Sequence, residues 1–226
     1  MKLSIVMPVY NEAQTVKEMI ERVRRVSIEK EIIIVDDSSK DGTKDILKEI
    51  NKKYPDIKVV YSDPNRGKGY AIKYGFKFVT GDIILIQDAD LEYNPTDYYK
   101  IMEAYLTQNA DVVYGSRFLG TCENMIFLQL LANKFFTLLT NCIHRSHLTD
   151  VCTCYKSFKT DIIKQIPLES PGFGICHEIN AKLLRSYKVV EVPINYYARR
   201  RSEGKKVGLK EFFTTFGAIV KFGFTS

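Results

Sequence analysis

Apolar positions along this chain follow two periods. Residues 3–9, 31–35, 57–61 and 83–87 are short, nearly continuous apolar runs, the pattern of strands buried on both faces. Between them lie segments with helical spacing. Residues 12–26 set Val16, Ile20 and Val23 on one stripe, residues 41–50 follow with Asp41 as a candidate cap, and residues 69–79 form a third helix. Strand alternating with helix predicts an α/β fold with a doubly wound, mostly parallel sheet, and nothing in the 226 residues marks a linker between two domains.

The second half is less regular. Residues 111–114 read as a short strand leading into Gly115-Ser116-Arg117-Phe118, and residues 189–196 return to strand character. Residues 124–143 carry a single charge, Lys134, while Gln129, Asn133, Thr137 and Thr140 recur at helical spacing and share one face. This suits an amphipathic helix lying in a membrane interface or under the fold. Leu209, Phe212, Phe213, Phe216, Ile219 and Val220 make a second amphipathic helix near the C-terminus. Core packing and membrane contact both fit these two helices.

Composition changes this picture little. Apolar residues at 45% and charged residues at 27% suit a protein with a sizeable core. Lys and Arg exceed Asp and Glu by only 33 to 27, which does not argue for a nucleic-acid partner. The excess is concentrated, however: residues 199–210 hold six basic side chains against one acid, Glu203. A phosphate group or an anionic membrane surface would attract that run. The five cysteines are odd in number, and Cys152-Thr153-Cys154 lacks zinc-ligand spacing. Free thiols in a reducing compartment are expected. The N-terminal apolar run is too short for a signal peptide, and no uninterrupted apolar stretch reaches the roughly eighteen residues of a span. The expectation is a cytoplasmic protein, peripheral at a membrane face or held there by a membrane-anchored partner subunit.

In doubly wound sheets, ligands bind outside the carboxyl ends of the strands. Tyr10 and Glu12 follow the first predicted strand, Asp36 and Asp37 the second, and Asp88, Asp90 and Glu92 the fourth. Alternate carboxylates repel and raise one another's pKa. A divalent ion with hard oxygen ligands, Mg²⁺ or Mn²⁺, would make the triplet tolerable, and such ions complete their shells with substrate phosphates. A nucleoside diphosphate derivative is the natural substrate. No Walker A pattern is present and no Gly-rich turn follows the first strand, so P-loop hydrolysis and dinucleotide binding lose support. Residues 65–71, Asn-Arg-Gly-Lys-Gly-Tyr-Ala, match neither motif.

SIVMPVYNE, VDDSSKDGT, NRGKGYAIKYGF, QDADLEYNP and YGSRF stand in that order, followed by LTDVCTCYKSF and a GFGICHE block with a basic tail. The chain therefore resembles glycosyltransferase family two, in the branch that includes dolichyl-phosphate mannose synthase and polyprenyl-phosphate glycosyltransferases. The resemblance implies a GT-A, Rossmann-like domain over residues 1–226, with a nucleotide-sugar half at 1–118 and an acceptor half with amphipathic helices at 119–226. It implies a metal-dependent, inverting transfer of sugar from a UDP- or GDP-linked donor to a polyprenyl or dolichyl phosphate.

By resemblance, Pro8, Tyr10, Glu12, Val35, Asp37 and Lys68 hold the donor. Asp88, Ala89 and Asp90 match a D-x-D motif, with Asp88, Asp90 and Glu92 around the metal. Arg117 faces the phosphates, and Arg199, Arg201 and Lys205 meet acceptor or donor phosphate. Asp90, Glu178 and Asp150 are the catalytic candidates, the last two as bases for a hydroxyl acceptor. Cys152 and Cys176 stand where that branch usually has acids, and His177 where it usually has Pro. All three departures lie in the acceptor half. A hydroxyl acceptor on a glycan, protein or small molecule, or a non-catalytic nucleotide-binding scaffold, are the alternatives.

Overall fold

The structure, a computed structural model, describes residues 1–199 and 209–225. Seven strands form one sheet in the order β3-β2-β1-β4-β6-β5-β7. They are β1 (Leu3–Val9), β2 (Lys30–Asp37), β3 (Ile57–Ser62), β4 (Ile83–Ile86), β5 (Val112–Glu123), β6 (Lys156–Lys159) and β7 (Val189–Tyr197). The first four run parallel, β6 is antiparallel to both its neighbours, and β5 pairs parallel with β7. The expected α/β, doubly wound and mostly parallel sheet is observed. β1 lies between β2 and β4, so the chain order reverses there and opens a crevice at the carboxyl ends of β1 and β4.

Helices α1 (Val16–Arg25), α2 (Thr43–Lys53) and α3 (Lys68–Phe76) follow the first three strands. The predicted stripe of α1 is buried as Val16, Met19, Ile20 and Val23. Its start was expected at residue 12, but Asn11 takes a left-handed φ of 54° and Glu12 begins a turn whose carbonyl accepts from Thr15 and Val16. Beyond β4 come α4 (Tyr98–Thr107), α5 (Phe127–His144), α6 (Thr160–Gln165), α7 (Ile175–Leu183) and α8 (Leu209–Thr225). The expected short strand at 111–114 is in fact the twelve-residue β5. Within its Gly115-Ser116-Arg117-Phe118 segment, Gly115 and Ser116 pair with Val192 and Pro193 of β7, and the register shifts between Ser116 and Thr121.

At the amino ends of the strands, away from the crevice, Glu31 ties β2 to β1 and to the turn before β4. Its carboxylate accepts from the Ser4 hydroxyl (2.5 Å), the Thr80 amide (2.6 Å) and hydroxyl (2.8 Å), and the Lys2 ammonium (3.1 Å). Burial alone would raise this carboxyl, but those bonds together outweigh it and hold the pKa at about 2. A depressed carboxylate contributes stability above its unfolded pKa and loses it as pH falls through the folded value. Melting temperature is therefore expected to drop between about pH 4.5 and 2, and Glu31→Gln to flatten that part of the curve.

Candidate active site

The acidic segment leaves β4 at the crevice, and its start is fixed from below. Gln87 donates its amide to the Val6 carbonyl at 3.0 Å, and its side-chain oxygen accepts the buried Tyr98 (2.5 Å) and Tyr155 (2.7 Å) hydroxyls. Asp88 and Asp90 therefore leave the sheet in a set direction. Asp88 meets the Lys68 ammonium at 2.6 Å, from the first turn of α3. Burial alone would lower the Lys68 ammonium, and Asp88 overrides it, keeping the group charged.

Arg199, just past β7, reaches back over the same crevice. Its guanidinium lies 2.9 Å from Asp90 Oδ2, 3.3 Å from Glu12 Oε2 and 3.9 Å from Glu92 Oε1. Four carboxylates, Glu12, Asp88, Asp90 and Glu92, thus face two cations. The imbalance falls on Asp90: burial, then Asp88 and Glu92, push its carboxyl up to about 7 against Arg199 and Lys68. A hard oxygen donor left short of positive charge fits a Mg²⁺ or Mn²⁺ ion. Asp90 and Asp88 would hold it, with phosphate oxygens supplying the other ligands.

Glu92, the third acid expected around the metal, is hydrogen-bonded on both carboxylate oxygens. Its Oε2 accepts the Tyr196 hydroxyl at 2.7 Å and its Oε1 the Arg199 amide at 2.8 Å. Among the described residues, no three His, Cys, Asp or Glu side chains converge in metal-holding geometry. The bonds from Tyr196 and the Arg199 amide tie Glu92 to the end of β7 beside Arg199.

The profile of glycosyl transferase family 2 matches residues 4–167. The chain belongs to this family. As a family 2 glycosyltransferase, it is similar to the dolichol-phosphate mannosyltransferase of Pyrococcus furiosus, 33% identical over 215 residues that span 92% of this chain and 60% of that protein. It is also similar to the undecaprenyl-phosphate mannosyltransferase of Micrococcus luteus, 29% identical over 92% of this chain and 88% of that one. Among solved structures, glucosyl-3-phosphoglycerate synthase from Mycobacterium tuberculosis, in complex with Mn²⁺, UDP and phosphoglyceric acid, matches with a TM-score of 0.75. That match covers 100% of this chain and 79% of the other at 16% identity, and it bears on the fold.

The crevice of this family 2 enzyme brings together Glu12, Lys68, Asp88, Asp90, Glu92 and Arg199 from among the predicted site residues. Tyr10 is exposed at the end of β1, Pro8 is half-buried in that strand, and Val35 and Ala89 are buried beside the crevice. Other predicted residues are committed elsewhere. Arg117, expected to face phosphates, is buried and paired through Nε (2.6 Å) and Nη2 (2.8 Å) to Asp150. Asp150, expected as a base, is fully buried in that pair. Burial favours its neutral form, but Arg117 outweighs that and holds the carboxyl below its ordinary value.

Glu178 accepts the backbone amides of Glu169 and Ser170, both at 2.8 Å, and the Lys182 ammonium at 2.7 Å. Asp37, predicted to meet the donor base, accepts the Arg66 amide at 3.0 Å and the Gly67 amide at 2.6 Å. It holds the turn that presents Lys68. Arg201 and Lys205 lie outside the described residues. The sequence reading missed Gln87 and Tyr196. Tyr196 had a legible signal, since β7 buries Val192, Ile194 and Tyr196 in strict alternation.

Proposed function

We propose that this family 2 glycosyltransferase moves a sugar from a UDP- or GDP-linked donor to a polyprenyl or dolichyl phosphate. The relatives named for mannosyl transfer to dolichol and undecaprenyl phosphate support that acceptor class, and mannose as the sugar. One observation favours a phosphate over a hydroxyl acceptor: both predicted bases, Asp150 and Glu178, have their oxygens taken up by structural partners. A hydroxyl needs a base of matched pKa to take its proton. A phosphate oxygen is already anionic at neutral pH and can attack the anomeric carbon directly, inverting its configuration.

A bound Mg²⁺ or Mn²⁺ would neutralise charge developing on the leaving diphosphate. Asp90 and Asp88 would hold it. Lys68 pairs with Asp88 and Arg199 with Asp90, and both would grip phosphate oxygens, Lys as a point charge and Arg through its planar fork. Both cations are paired with carboxylates here, so donor binding exchanges Asp and Glu partners for phosphates. Calorimetric titration with GDP-mannose, UDP-glucose and UDP-N-acetylglucosamine, with and without Mn²⁺, tests this. Mn²⁺-dependent binding of one donor is expected, and no binding of any would contradict the transfer reading.

The surface supports a membrane-facing position for the enzyme. α5 is inverted: Thr137 and Thr140 from its polar stripe are buried against the protein, while Phe127, Leu128, Leu131 and Leu138 are exposed. α8 packs beside it and exposes Phe213, Phe216, Val220 and Phe224. No helix among the described residues is long and apolar enough to cross a membrane. Two neighbouring helices with outward apolar ridges fit the headgroup boundary of a bilayer. Replacing Phe127, Leu131 and Leu138 together by Ser is expected to lower co-sedimentation with anionic vesicles about tenfold or more, without lowering the melting temperature. Unchanged sedimentation would contradict the placement.

A further inference from the structure

Glu178 is fully buried, yet its partners are the loop between α6 and α7 and Lys182 of its own helix, and not groups of the crevice. Its two oxygens take the amides of Glu169 and Ser170, one each. Lys73 of α3 holds the same loop by its carbonyls, at 3.2 Å from Leu168 and 2.8 Å from Glu169. The next residues press on the turn that carries Lys68. Pro171 accepts the Tyr70 amide at 2.9 Å. A Cβ on Gly67 would lie 2.8 Å from the Pro171 oxygen, and one on Gly69 would overlap the Ser170 oxygen and lie 2.8 Å from that of Gly172.

Backbone meets backbone here with no side chain between, which is why both flanks of Lys68 are glycine. Phe173 completes the contact, its ring 5.6 Å from the Lys68 ammonium. The turn is thus clamped on two sides. Asp37 holds it from the sheet through the Arg66 and Gly67 amides, and the 169–172 backbone bears on it from outside.

We propose that Glu178 is a positioning residue: it fixes the 169–172 backbone as a strut against Gly67-Lys68-Gly69, and so sets the Lys68 ammonium for the donor diphosphate. The strut contact stands on the structure alone, and its effect on donor binding rests on the function proposed above. A general base would need an oxygen facing the acceptor. Glu178 instead acts through the main chain of residues 169–172, and its removal displaces a cation from the donor.

Glu178→Gln and Gly69→Ala perturb the strut from its two ends. Amide hydrogen exchange on the full chain reads the contact directly, without substrate. Both variants are expected to lose protection at Tyr70 by about tenfold or more. Steady-state kinetics with whichever of GDP-mannose or UDP-glucose the wild type uses are expected to show donor KM raised about tenfold, kcat within about threefold, and an unshifted pH profile of kcat. Adding Lys68→Met to either variant is expected to give less than the product of the separate effects.

Loss of kcat by about a hundredfold in Glu178→Gln at unchanged KM, with Gly69→Ala like wild type, would make Glu178 a catalytic base and overturn the proposal. Unchanged protection at Tyr70 in both variants would overturn it as well. If Glu178→Gln shows no cooperative melt, Gly69→Ala decides alone. A wild type that binds neither donor would sink the glycosyl-transfer reading while leaving the exchange result to judge the strut.

Discussion

Asp90→Asn is expected to lower kcat/KM by at least about a hundredfold, the scale on which loss of one preorganised electrostatic contact acts, without lowering the melting temperature in chelator. Asn keeps the shape of Asp and an oxygen for the Arg199 guanidinium, now 2.9 Å away. What it removes is the charge that would hold a divalent ion. Burial and the neighbouring Asp88 and Glu92 already work against that charge, holding the carboxyl near 7. Neutralising it relieves repulsion inside the fold, so activity and stability should move in opposite directions, as they do where a site is kept at the expense of the scaffold. A melting temperature several degrees lower would instead make Asp90 a structural partner of Arg199.

Asp150→Ala should do the reverse, destabilising the protein without any specific effect on chemistry. Asp150 is fully buried and holds Arg117, itself 4% exposed, by two side-chain bonds and an amide contact. The Arg117 guanidinium also lies 5.0 Å from the Tyr196 ring, which in turn hydrogen-bonds Glu92. Breaking such a pair by removing one partner strands a buried charge and destabilises by about 3–5 kcal/mol. For a chain of this size that lowers the melting temperature by roughly 10 °C or more. Removing both charges, in Asp150→Leu with Arg117→Met, should recover much of the loss, because two apolar groups can replace a buried ion pair at little penalty. A single variant that melts like wild type but is inactive would restore Asp150 to the chemistry.

The strands of the first half were legible because burial on both faces leaves nothing but apolar runs, and β1 was placed to the residue. The acidic segment was legible for the opposite reason, since carboxylates directly after a buried strand need an explanation. The limits came from pairing over distance. Arg117 and Asp150 are 33 residues apart, and Arg199 and Asp90 are 109 apart. Nothing local says that the first pair will bury itself while the second stays at the crevice. The same holds for Glu178, which the family resemblance put near the reacting centre, although its oxygens face the loop just before it. In α5 the polar stripe was plain, but which way it faced depended on α7 and α8 packing against it.

The most direct measurement is transfer itself: purified protein with radiolabelled GDP-mannose, and separately with UDP-glucose, against dolichyl and undecaprenyl phosphate in detergent, with Mn²⁺ or with chelator. The expected result is label moving into the lipid phase from one donor, in Mn²⁺ only, and lost in Asp90→Asn. Label appearing on a hydroxyl acceptor while polyprenyl phosphate stays unlabelled would contradict the proposed acceptor. Transfer undiminished in chelator would contradict the role given to Asp88 and Asp90.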